Sequence, residues 1–437
     1  MTRRLNNALQ KALIVENPSM VLDEKLRESG IEVKRLKKTP NEQELIQALN
    51  EFGAQALFKR SRVEVTRNVI ESCPNLFVIQ LCCIGDDSID KQACADHGVM
   101  IFNDPVSNGR SVIELVIGNL ISLSRRLYET SEECRTGVWN KNNTERYEVR
   151  GKVLGVLGLG NIGRGVARAA EALGMKVCFF DTRQVSVELG IEMGWIHFDS
   201  LEEFFRAVDC MSVHLSAKDI HGSSNANILS DDLFMQFGAD RPDGPRIFIN
   251  FSRGFLHSPE ALKKAINAGF IRKAAIDVYP NEPRVGETWE NPYQDYPQVA
   301  AFPHIGASTK EAQPRIAKRV ADTFFAFSGN GAVRDTPFLP RMVLGLTDGP
   351  KKGETLLAIC HSTTRGTKRA IDEVIYSAQA SNLASVHRDF KEFKFAYELA
   401  KIDIPLTTEQ IDKMIVLANQ VTNEPNAIRS IRQITLP

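Results

Sequence analysis

An arginine, a glutamate and a histidine stand where three apolar runs turn polar: "NFSRG" (250–254), "IDVYPNEP" (276–283) and "FPHIGAST" (302–309). The runs themselves, "RIFINF", "KAAIDVY" and "QVAAFP", read as short β-strands. In a parallel α/β sheet ligands lie beyond the carboxyl ends of the strands, so the three segments are expected to converge on one crevice. An arginine there can hold a carboxylate through two parallel N–H bonds. A histidine can take a proton from a hydroxyl or give one to a carbonyl oxygen. A glutamate on its second ring nitrogen would fix the tautomer and stabilise the imidazolium. Arg253, Glu282 and His304 therefore suit reversible hydride transfer at the C2 carbon of a 2-hydroxy acid.

Hydride transfer needs an acceptor, and "VLGVLGLGNIGRGVARAAEALGMKVCFFD" supplies the place for one. Gly158, Gly160 and Gly163 form Gly-x-Gly-x-x-Gly between a β-branched strand and an amphipathic helix, and Asp181 ends the next strand, 18 residues after Gly163. Such a turn lets a pyrophosphate approach the helix N-terminus, where amides and dipole favour an anion. Asp181 is expected to accept from the ribose hydroxyls and to repel a 2′-phosphate, so NAD is preferred over NADP, with nearby Arg183 softening that preference. Asp277 is expected to face the cofactor while Glu282 faces the histidine. Arg60-Ser61-Arg62 offers two cations around a hydroxyl, a set suited to a phosphate dianion.

These residues need elements to hold them. The first hundred residues alternate strand-like runs (11–16, 54–58, 75–81, 99–102, with "IEVKRL" between) and helical patterns, which predicts a parallel sheet covered on both faces. A long amphipathic helix is expected from Ser111 to about Glu129. The strand–helix alternation restarts at 152–160 and runs to about residue 303; a helix over 308–327 is expected to pack back on the first domain. Residues 329–353 are rich in Gly and Pro and read as a linker. Beyond them β-α-β-β-α-β order predicts a ferredoxin-like split unit.

The segments "GLGNIGRGVARAAEALGM", "NFSRG", "AAIDVYPNEP" and "PHIGAST" resemble the signature segments of the D-isomer-specific 2-hydroxyacid dehydrogenases. Within that family "FKRSRVEVT", "DPVSNGRSVIELVIGNL" and "RTGVWNK" resemble the branch that oxidises D-3-phosphoglycerate and carries a C-terminal ACT regulatory domain. The resemblance implies an α/β protein with two doubly wound parallel-sheet domains, a flavodoxin-like substrate domain (1–107 and 301–330) and a Rossmann NAD domain (108–300). A linker (331–352) and an ACT-like α+β domain (353–437) follow. It implies catalysis by Arg253, Glu282 and His304. It implies cofactor contacts at Gly158, Gly160, Asn161, Ile162, Gly163, Asp181, Phe251, Ser252, Arg253, Asp277, His304, Ile305, Gly306 and Ala307. Substrate contacts fall on Arg60, Ser61, Arg62 and Asn108, with Lys141, and less surely Lys38, reaching across a subunit interface of a homotetramer or dimer. His361 and Asn382 stand where ACT domains of this family contact L-serine. Arg365-Gly366 replaces the usual Pro-Gly and Thr363 an expected amide, two departures from the family's serine-binding pattern.

Bulk properties exclude other classes. Lys+Arg and Asp+Glu both number 54 among 437 residues, so nothing global draws the chain to nucleic acid or membrane. No apolar run reaches 18 residues, and "MTRRLNNALQKALIVENP" has no signal-peptide core, which points to the cytoplasm. The eight cysteines include no Cys-x-x-Cys and no zinc spacing, so reduced thiols and no metal are expected. Two rivals stand beside the main reading. A broad reductase of 2-oxoacids such as 2-oxoglutarate could use Arg60 and Arg62 for a second carboxylate. An NAD-sensing corepressor of the same fold is disfavoured by the neutral charge and the ACT-like tail.

Overall fold

Five parallel strands organise the first hundred residues, in the spatial order Glu32–Arg35, Lys11–Ile14, Ala56–Lys59, Val78–Leu81 and Met100–Phe102. Strands Ala56–Lys59 and Val78–Leu81 are buried along their whole length, as a sheet with helices on both faces requires. Numbered along the chain the order is 2-1-3-4-5, the flavodoxin-like winding. Helix Ala312–Asn330 returns to this sheet, setting Phe324 edge-on to Phe58 at 5.3 Å and Phe327 edge-on to Phe102 at 5.0 Å. The computed structural model describes residues 2–219, 222–283, 287–340, 342–347 and 351–435. It divides into two units, Met1–Ser107 with Gln313–Pro437, and Asn108–Ala312.

The second unit is wound on seven parallel strands, ordered Val299–Ala301, Lys273–Ile276, Ile247–Asn250, Cys210–Val213, Val153–Leu157, Lys176–Phe180, Ile196–His197. The order reverses between Val153–Leu157 and Cys210–Val213, the switch point at which such sheets bind dinucleotides. One face is covered by an aromatic-rich core including Phe204, Phe205, Phe234, Phe237 and Phe248; the other is covered by Val112, Val116, Leu120, Val166 and their neighbours. The expected 111–129 helix is two helices, Gly109–Arg125 and Leu127–Arg135. Arg126 between them is left-handed at φ 56° and its N–H closes on the Leu123 carbonyl. The first helix ends where its buried stripe ends, at Leu123 and Ser124, and nothing on the second helix is buried.

The C-terminal part has the expected β-α-β-β-α-β order: Thr355–Ser362, Thr367–Ser377, Asn382–Phe390, Phe395–Ile402, Thr408–Thr422, Ile428–Thr435. Its sheet contains a fifth strand that pattern reading missed. Arg3–Asn6 lies parallel to Ile428–Thr435, pairing Arg3 with Ser430 and Asn6 with Gln433. The buried Arg3 guanidinium donates to the carbonyls of Leu76 and His97 (2.9 Å each) and Ile70 (2.5 Å). Arg432 stacks 4.0 Å from the Phe327 ring and donates to the Phe327 and Ser328 carbonyls. The segment read as a linker forms a small antiparallel pair, Val333–Arg334 with Val343–Leu344, and packs Phe338 on Phe390, Phe393 and Phe395. Residues 341 and 348–350 of that segment lie outside the described residues.

Candidate active site

Three loops leave the carboxyl ends of adjacent strands in the second unit, and the close approach of two of them rests on one glycine. A Cβ on Gly254 would stand 2.0 Å from the Tyr279 carbonyl carbon, so only glycine lets the Arg253 loop lie against the 277–282 loop. Asn250, fully buried at the end of its strand, shapes that first loop. Its Oδ1 accepts from the Ser252 amide (3.1 Å) and hydroxyl (3.0 Å), and its Nδ2 donates to the Arg253 carbonyl (3.0 Å). Arg253 bonds the Ser252 carbonyl at 3.0 Å, and Phe251 beneath it is buried edge-on to Phe302.

His304 and Glu282 meet as expected. The imidazole Nδ1 lies 2.8 Å and 3.0 Å from the two Glu282 carboxylate oxygens. With a carboxylate as acceptor, Nδ1 carries the proton and Nε2 is left for chemistry. Both side chains are partly open to solvent, at 49% and 38% exposure, so a substrate can reach the pair. His304 sits at φ 56°, a strained backbone for a histidine, and the turn after it is held by Asp277. The two Asp277 oxygens accept from the Ile305 and Gly306 amides at 2.8 Å each. Burial pushes the Asp277 carboxyl upward, against the pull of those two amide bonds. Two of the carboxylates of this segment thus divide the work: Glu282 orients the histidine ring and Asp277 orients its backbone.

The glycine turn leads from strand Val153–Leu157 into helix Asn161–Ala172, with Gly160 as the cap and Asn161 and Ile162 opening the first turn. A Cβ on Gly163 would meet the Gly158 carbonyl oxygen at 2.1 Å, so the helix packs directly on the turn. Asp181, just past Lys176–Phe180, accepts from the Leu159 amide (2.7 Å) and the Arg183 amide (2.8 Å). Arg183 turns toward Ser186, with Nε 2.9 Å from its hydroxyl. A close-packed glycine cradle with a carboxylate at the end of the second strand fits a dinucleotide. Gly158, Gly160, Asn161, Ile162, Gly163 and Asp181 would hold NAD there. Asn108 stands at the N-cap position of helix Gly109–Arg125 without a side-chain capping bond, and its buried Oδ1 has no partner among the described residues.

The arginine pair belongs to the first unit, beyond the carboxyl end of Ala56–Lys59. Two residues that sequence reading missed hold it. Glu16, at φ 62°, accepts from the Arg60 amide at 2.8 Å and the Arg62 amide at 2.6 Å. Lys59 is wholly buried and donates to the Arg60 carbonyl (2.8 Å) and the Ser88 hydroxyl (2.6 Å), with burial lowering its pKa. Ser61 and Arg62 remain exposed. Lys141 and Lys38 are exposed on separate units, His361 is buried, and Asn382 is exposed at the start of its strand.

Residues 117–306 match the family model described as D-isomer specific 2-hydroxyacid dehydrogenase, NAD binding domain. The D-3-phosphoglycerate dehydrogenase of Haemophilus influenzae is 35% identical over 321 residues, 73% of this chain and 74% of that protein. That of Escherichia coli is 32% identical over 381 residues, 86% of this chain and 87% of that protein. Among solved structures, the TT0316 protein of Thermus thermophilus superposes with a TM-score of 0.62 at 26% identity, covering 72% of this chain and 96% of that one. A glyoxylate reductase from Paecilomyes thermophila gives 0.65 at 24% identity over 75% and 98%, a likeness of fold. With the glycine cradle, the Glu282–His304 pair and Arg253 in one unit, the chain belongs to the NAD-dependent, D-isomer-specific 2-hydroxyacid dehydrogenases.

Proposed function

We propose that the chain oxidises D-3-phosphoglycerate to 3-phosphohydroxypyruvate, the entry to phosphorylated serine synthesis. The observation that carries this reading is the Arg60-Ser61-Arg62 loop, whose amides Glu16 fixes and whose carbonyl Lys59 braces. A short substrate such as D-lactate gives two arginines nothing to bind, whereas a phosphate dianion takes both. Relatives that cover most of this chain bear the D-3-phosphoglycerate dehydrogenase name.

Each residue then has a task. Arg253 holds the substrate carboxylate and so orients C2. His304 Nε2 accepts the proton of the C2 hydroxyl as the C2–H bond breaks, and Glu282 stabilises the imidazolium that results. NAD, when bound, supplies the hydride acceptor at C2. Asn108, whose Oδ1 has no partner among the described residues, is assigned to the substrate. Our reading further places the chain in the cytoplasm as a homotetramer or dimer, with Lys141 contributed across the interface. L-Serine at His361 and Asn382 of an ACT-like domain 353–437 is the effector this reading assigns.

Arg62→Ala separates the phosphate role from a structural one. A charge-assisted contact is worth roughly 1.5–3 kcal/mol, about 10–150-fold in kcat/KM, and this loss is expected for 3-phosphoglycerate. A short 2-hydroxy acid should lose little. Equal losses for both substrates would mean that Arg62 serves the fold, and a loss shared only by 2-hydroxyglutarate would favour the broad reductase.

A further inference from the structure

Outside the catalytic loops, the C-terminal sheet gathers two histidines and a glutamate on one face, and a metal there would compete with serine for the His361 contact that the resemblance implies. His361 comes from Thr355–Ser362, Glu398 from Phe395–Ile402 and His387 from Asn382–Phe390, three neighbouring strands. Register explains the meeting: His387 lies directly opposite Glu398, and His361 is two residues from Ile359, which lies opposite Glu398 on the other side. Side chains two apart on a strand share a face. One ligand atom from each residue falls within 4.8 Å of the others. Glu398 is 1% exposed and His361 2%, while His387 stays open at 30% on the edge strand.

Each of the three is already oriented from behind. His361 Nδ1 lies 2.7 Å from the Ser362 carbonyl, so it carries the proton and Nε2 keeps its lone pair. That Nε2 is buried and has no partner among the described residues, which is costly for a polar atom unless something binds it. His387 Nδ1 lies 2.8 Å from Glu398 Oε2, and its Nε2 lies 2.8 Å from Asp389. Glu398 Oε1 accepts from Lys368 at 2.9 Å, and Asp372 shares that ammonium at 3.2 Å. Ligating histidines characteristically give their second nitrogen to a carbonyl or carboxylate, and ligating carboxylates are themselves hydrogen-bonded. All three residues show that outer arrangement.

We propose that His361 Nε2, His387 Nδ1 and Glu398 Oε2 form a binding site for a divalent transition metal of the zinc class, with a fourth position open toward solvent beside His387. Two imidazoles and one carboxylate make the borderline nitrogen–oxygen set that such ions take, in preference to calcium or magnesium. Binding replaces the Nδ1 proton of His387, which leaves to solvent, and Glu398 exchanges its hydrogen bond for the metal through Oε2 while Oε1 keeps Lys368. Donor atoms on a tetrahedral zinc stand about 3.3 Å apart, so the His387 Nδ1–Glu398 Oε2 pair, now at 2.8 Å, opens slightly while the remaining separations, none above 4.8 Å, close. Spacing along the chain hides the set, because 26 residues separate the histidines and 11 more lead to the glutamate.

The test uses the full chain, freed of metal with a chelator and titrated with Co2+ as the probe, whose visible d–d absorption reports tetrahedral coordination. Cys134 is an exposed free thiol, and binding there would show thiolate charge-transfer absorption instead. One equivalent of Co2+ without that absorption is expected. His387→Asn and Glu398→Gln should each weaken it more than 100-fold, beyond the roughly 10–100-fold of outer partners. Circular dichroism checks that each variant is folded; if Glu398→Gln is not, the solvent-facing His387→Asn decides alone. No stoichiometric d–d band, or an undiminished one in His387→Asn, overturns the site.

Discussion

Replacing His304 by alanine removes the group that we propose takes the C2 hydroxyl proton, so kcat should fall about 10²–10⁴-fold. NAD affinity, measured by fluorescence titration, should be nearly unchanged, because the glycine cradle is intact; turnover near the parent's level would remove His304 from the mechanism. The meeting of Glu282 and His304, with Arg253 on a neighbouring strand end, was legible because each is a polar residue closing an apolar run, a pattern that a sheet with its ligand at the strand ends leaves in a sequence. Their supports were not. Asn250 is one polar letter in a strand, Lys59 looks like a surface lysine, and Glu16 lies far along the chain from the arginines it fixes. Asp277, expected to face the cofactor, also accepts from the amides of Ile305 and Gly306, a second role that sequence distance conceals.

At the scale of elements the loops matter through their contacts. Gly254→Ala would press a methyl against the Tyr279 backbone, which cannot rotate away as a side chain can. Overpacking costs typically about 1–3 kcal/mol, and here the displaced loops carry Arg253 and Glu282. The expected result is a lowered Tm together with a loss of kcat/KM; full activity at an unchanged Tm would show that the two loops do not depend on that contact. Apart from the two-residue edge strand Ile196–His197, the strands of both α/β sheets were readable from alternating patterns, and so was the β-α-β-β-α-β order. The break at Arg126 was not, since a left-handed arginine leaves no glycine or proline as a sign. Nor was strand Arg3–Asn6, whose sequence "RRLN" has neither apolar alternation nor β-branched residues. It is a strand because Ile428–Thr435 offers it an edge.

For the whole molecule, that N-terminal strand makes the C-terminal sheet part of the first unit. Arg3→Met keeps the packed stem but strips the guanidinium from the Leu76, His97 and Ile70 carbonyls, leaving them unpaired. Unfolding of that unit in denaturant should shift to lower concentration, while NAD binding by the second unit holds; an unchanged midpoint would show that the strand is not held by Arg3. The central claim concerns the substrate, and one steady-state comparison bears on it most directly: 3-phosphoglycerate, 2-hydroxyglutarate and D-lactate, each with NAD and with NADP. The arginine pair and Asp181 predict the highest kcat/KM for 3-phosphoglycerate with NAD, with D-lactate weakest and NADP poorer throughout. A higher kcat/KM for 2-hydroxyglutarate than for 3-phosphoglycerate would contradict the account.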